Sequence, residues 1–139
     1  MILALTATGL IGTGGYVFAP AALASASKTP SCSTASLSMV KSALGGSPSG
    51  PKEQAGLCNY GTVSIGYVPE TLNAVKATVS VNKGTDVTGV GTFAFTFKAT
   101  KPAATVLAVY ASGYEIIVKS AKATLAQEET LARKILPLV

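Results

Sequence analysis

Cys32 and Cys58 are the only cysteines in the 139-residue chain, and they set its tightest constraint. Between them lie a short helix-like run, "SLSMVKSALGG", and a Gly/Pro/Ser stretch, "GGSPSGPKEQAG", without hydrophobic periodicity. A bond between the two would close a loop of about 27 residues and restrict the unfolded chain by about 3–4 kcal/mol. It would tie the start of the first helix to the start of the first strand. A reactive thiol pair calls for close Cys-x-x-Cys spacing or a nearby histidine, and the sequence has neither. A structural disulfide is therefore expected, in a compartment that lets it form.

The chain's beginning points to the same compartment. No charged residue precedes Lys28, and a Leu/Ile/Val/Phe-containing run leads into Ala22-Leu23-Ala24. That small-x-small end reads as a signal-peptidase site, giving a leader at 1–24, a polar linker at 25–31 and one domain at 32–139. The basic segment that normally precedes such an apolar core is missing. The alternative is an uncleaved anchor, since about 24 residues suffice to span a bilayer core of roughly 30 Å. Gly12, Gly14, Gly15 and Pro20 weaken that helix. Lipidation of Cys32 is not expected, because Pro30 occupies a position that should be small or aliphatic.

The formal charge of +5 falls wholly after the leader. Its lysines are scattered from Lys28 to Lys134, whereas nucleic-acid binders cluster them on one face with aromatics between. A solvated, mildly basic surface is expected, without nucleic acid as partner and with a membrane involved only through an unprocessed leader.

Ser36 can cap a helix carrying Leu37, Val40 and Leu44 on one face, which Gly45 then ends. "YGTVSIGYV" reads as a strand. "PETLNAVKATVSV" reads as a helix with Pro69 in its first turn and Leu72, Val75 and Val79 on one face. "TFAFTFK" alternates cleanly, placing Phe93, Phe95 and Phe97 on one side. "ATVLAVYASGYEIIVKS" is a hairpin turning at Ser112-Gly113. "TLAQEETLARKILPLV" is a helix capped by Thr124, directing Leu125, Ala132, Ile135 and Leu136 to a core. Its acidic start and basic end complement the helix dipole. The sum is an α+β domain: an antiparallel sheet of about four strands with two or three helices on one face and one disulfide.

"CSTASLSMVKSALGG", "CNY", "VTGVGTFAF" and "TLARKILPLV", in that order, resemble an actinobacterial family of secreted proteins and lipoproteins, the domain of unknown function numbered 3558. The resemblance covers nearly all of the chain after the leader. Departures fall at Thr34 and Ala35, where leucines are usual, and at Met39, Thr92 and Phe93, near which acidic residues are usual. The family implies an extracytoplasmic, often envelope-attached α+β domain with no established activity. Sensor-like domains related to it imply ligand sensing only by analogy.

Motifs that invite an enzymatic reading lack their context. "GVGTFA" matches a dinucleotide fingerprint, but a strand rather than a helix follows, so Gly89 and Gly91 read as a tight turn. "SMVK" matches the Ser-x-x-Lys of penicillin-recognising enzymes without their further motifs. Histidine is absent, removing the commonest general base and metal ligand. Glu53, Glu70, Asp86 and Glu115 lie far apart, and the neighbours Glu128 and Glu129 read as a solvated first helical turn. No catalytic residue, metal or cofactor is expected. Two functions remain: an exported binding domain for an envelope protein, or a carrier or sensor of a small apolar ligand. The second would use a cleft lined by Phe93, Phe95 and Phe97, with Tyr60 and Tyr110 at its rim.

Overall fold

The computed structural model describes residues 29–139, so the leader at 1–24 and residues 25–28 of the linker lie outside the described residues. Three helices and seven strands follow one another as α1 (Leu37–Leu44), β1 (Lys52–Gln54), β2 (Leu57–Asn59), β3 (Val63–Pro69), α2 (Leu72–Asn82), β4 (Thr85–Val87), β5 (Phe93–Thr100), β6 (Ala103–Ala111), β7 (Tyr114–Ser120) and α3 (Leu125–Ile135). A 3₁₀ turn, Leu136–Leu138, closes the chain.

Each helix starts where a hydroxyl can take an orphan amide. Ser36 Oγ accepts from the Met39 amide at 3.2 Å, and Thr71 Oγ1 accepts from Ala74 at 3.2 Å. Thr124 and Gln127 form a reciprocal capping box on α3. Pro69 ends β3 rather than opening α2, so the helix begins three residues beyond the proline, at Leu72.

All seven strands form one antiparallel sheet, ordered β1-β2-β3-β7-β6-β5-β4. Two meanders, β1–β3 and β4–β7, join where β7 pairs with β3 from Val63↔Ser120 to Pro69↔Tyr114. The α+β class, the antiparallel sheet and the single disulfide match expectation, but the strand count corrects it upward. β1, β2 and β4 are three residues each, too short for alternation to register. β1, "KEQ", is exposed throughout and sits inside what the sequence presented as loop.

The helices also cover both faces, not one. α1 and α3 pack against Ile65, Leu107, Val109, Ile116 and Val118 through Val40, Ala43, Leu131, Ala132 and Ile135. Strand alternation sends Phe93, Phe95 and Phe97 to the opposite face, where α2 meets them through Val75 and Val79. An apolar row on the second face needs its own cover, and the segment linking β3 to the far edge supplies it.

A second anchor supports the disulfide. Cys32 and Cys58 are bonded with Cα atoms 5.3 Å apart. Tyr60, two residues beyond Cys58 and fully buried, donates its hydroxyl proton towards the carbonyls of Ala35 and Cys32. The segment before α1 is thus held to the sheet covalently and by a buried phenol.

Gly89 and Gly91 form the turn before β5, at φ +80° and +63°. A Cβ on Gly91 would lie 2.5 Å from Val109 Cγ1 and 2.8 Å from the Tyr110 carbonyl oxygen. That position has neither the backbone conformation nor the room for a side chain.

Replacing both cysteines by serine is expected to lower unfolding free energy by about 3–4 kcal/mol in urea titrations, with the native sheet signal retained in circular dichroism. An unchanged midpoint would show that the bridge does not stabilise the fold. Gly91→Ala should cost at least about 2 kcal/mol, against about 1 kcal/mol for Gly46→Ala, whose Cβ meets open space.

Candidate functional site

The aromatic residues expected to line a cleft divide between the two faces. Phe93, Phe95, Phe97 and Tyr110 share the α2 face, with Phe95 and Phe97 rings stacked at 5.8 Å. Phe95 is buried and the other three are half-buried under α2, with the Lys76 ammonium 5.6 Å from the Phe93 ring. Tyr60 stands on the α1/α3 face, so it cannot rim a cleft over the phenylalanines. Gly84 closes the arrangement, since a Cβ there would fall 2.5 Å from the Phe95 ring. The row is packing under a helix.

On the other face, at the C-terminal end of α1, lies a cleft of about 390 Å³. Three separate segments build it. Val40, Leu44 and the loop Gly45–Pro48 form one wall, Gly61–Val63 a second, and Ser120, Lys122 and Ala123 a third. Val63 and Ser120 are direct partners at the end of the β3–β7 ladder, so their positions are fixed by strand register. A hydrogen bond from the Gln127 side-chain amide to the Leu44 carbonyl, 3.4 Å, joins α3 to the α1 wall.

Ser120 is 3% exposed. Its Oγ accepts from the amides of Lys122 (3.2 Å) and Ala123 (2.9 Å), which tightens the turn into α3. Both lone pairs are committed, which makes this hydroxyl a poor nucleophile but leaves its own proton to donate. Lys122 is the only charged residue lining the cleft. The single ion pair among the described residues is Arg133–Glu129 at 3.3 Å, so Lys122 has no carboxylate partner.

The strongest electrostatic anomaly lies under α3. Glu128 is fully buried, and neither carboxylate oxygen has a hydrogen-bond partner. Burial pushes its pKa to about 8, while the positive charge of Lys98 pulls weakly the other way. The expectation of two solvated glutamates thus holds for Glu129 but fails for Glu128. The apolar stripe carried the signal: Leu125, Glu128, Ala132 and Ile135 recur at spacings of three, four and three, placing Glu128 on the sheet-facing side. Burial also raises Glu115, aided by Glu70, and raises Tyr60. Tyr67 is raised by burial and then by Tyr60, and its hydroxyl finds no partner.

Among the described residues no cluster of three or more His, Cys, Asp or Glu could hold a metal ion, and no helix is long and apolar enough to cross a membrane. No family model, curated protein or solved structure matches the chain.

The buried carboxyl makes stability depend on pH with a definite sign. Glu128 binds its proton up to about pH 8 when folded, but the unfolded chain releases it near the ordinary 4.5. The folded state binds more protons between these values, so stability is full in acid and falls as pH rises towards 8. The loss reaches at most about 4–5 kcal/mol. Urea titrations from about pH 5 to about pH 9 should show this decline in the parent and a much flatter profile in Glu128→Gln. Parallel profiles would mean that Glu128 is ionised in the fold.

Proposed function

We propose that the protein is an exported, non-enzymatic binding domain acting at the cell envelope, and that the cleft at the end of α1 is where it binds. The cleft's composition carries this reading. It combines a buried apolar floor (Val40 and Val63), one unpaired cation and a serine whose lone pairs are already occupied. Such a site can hold a molecule but has no activated nucleophile to attack it. The sequence contains no histidine to serve as base.

Export is supported by the apolar leader ending Ala22-Leu23-Ala24 and by the Cys32–Cys58 bridge, which is compatible with an extracytoplasmic location. The motif order shared with the family of the domain of unknown function numbered 3558 supports the same placement. The cleft favours a small ligand over a purely surface-bound envelope protein. It also moves that ligand from the phenylalanine row to the opposite face of the sheet.

Native mass spectrometry of protein purified from its own host tests export and binding together. The expected mass begins near Ser25, is two hydrogens lighter than the reduced chain, and includes a fraction carrying a small non-covalent adduct. A mass beginning at Met1 with reduced thiols would contradict export. An adduct-free protein that crosslinks reproducibly to one envelope protein would replace the ligand with that partner.

A further inference from the structure

We infer that the cleft selects small amphiphilic anions: molecules with one carboxylate on a short apolar body. This rests on the cleft being the binding site and adds the chemistry of what enters it. Three features converge. Val40, Leu44 and Val63 give the cavity an apolar side, and the first and last are 0% and 2% exposed, so that side is fixed by the core. Lys122 is its only charged lining residue, and no Asp or Glu lines it, so the local field favours an anion. Ser120, held by two backbone amides, has a hydroxyl proton left to donate, which a carboxylate can accept.

Size and surroundings narrow the class further. A volume of about 390 Å³ lies at the low end of small-molecule sites, which run from about 300 to about 1,000 Å³. A long acyl chain or a folded peptide would exceed it. On the loop wall, added Cβ atoms at Gly45 and Gly46 would meet nothing within 4 Å, so bare backbone faces open space there. A ligand's polar end can approach this wall without meeting side chains. The net charge of +5 adds a long-range attraction for the same sign of ligand.

Octanoate and octanol, which differ in the charged head, test the inference when titrated into isotopically labelled protein followed by amide NMR shifts. Octanoate is expected to give saturable shifts at Gly45, Gly46, Thr62 and Lys122, and octanol weaker binding at the same amides. Lys122→Gln should weaken octanoate about fivefold, and Lys122→Glu further, with little change for octanol. Lys122 is exposed, so neither variant should disturb folding. If octanol and octanoate bind the cleft equally and Lys122→Gln changes neither, selection for anions is wrong while the cleft stands as a site. If neither probe moves the cleft amides, or shifts appear only along the phenylalanine row, both the anion class and the cleft are wrong.

Discussion

Pairing of β7 with β3 holds this chain together. Every other strand pairing joins neighbours in sequence across a turn or short loop, but this one closes over α2, β4, β5 and β6. It is the costly, long-range step of the topology, and the register from Val63↔Ser120 to Pro69↔Tyr114 aligns the two meanders. The buried row Ile65, Val118 and Leu107 runs across that seam, and α1 and α3 pack on it. The cleft sits at one end of the same ladder, because Val63 and Ser120 are its terminal pair. A slip of one residue between the strands would put Val63 and Ser120 on opposite faces and erase the cavity.

The disulfide and Tyr60 do for α1 what the ladder does for the sheet. α1 has only eight residues, too few for a stable helix in isolation. The bridge to Cys58 and the Tyr60 hydroxyl bring its leading segment onto β2, after which Val40 and Ala43 add burial. Part of the segment between the two cysteines, Gly45–Pro48, forms a wall of the cleft. The tether thus fixes one side of the site while leaving the Gly45–Pro48 turn free of packing demands.

Much of this architecture was legible in the sequence wherever a pattern repeats often enough to be read. Four strands of seven residues or more, the three capped helices, the Ser112-Gly113 hairpin and the disulfide all announce themselves through alternation, caps or cysteine count. The three-residue strands do not, because pairing with longer neighbours makes "LCN" and "TDV" strands and periodicity has no room to appear. Alternation placed Phe93, Phe95 and Phe97 on one side correctly, but it cannot say that α2 returns over that side. Glu128 reads as solvated when considered only as the neighbour of Glu129, but its place in the stripe Leu125, Ala132, Ile135 puts it on the sheet-facing side, where it is buried. The cleft itself was out of reach. Its walls come from three separate segments of the chain, and the β3–β7 register brings two of them together.

The short strands at the sheet's two borders have a consequence for behaviour at high concentration. β1 presents Lys52, Glu53 and Gln54 outward, and β4 is equally brief. A neighbouring molecule meets charge and a rapid end to the ladder at either border, which disfavours growth of the sheet from one copy to the next. Crowded molecules would thus meet through their mixed, basic exteriors, where like charge keeps them apart. The same brevity that hid these strands from sequence patterns protects the native sheet from fibrous self-association.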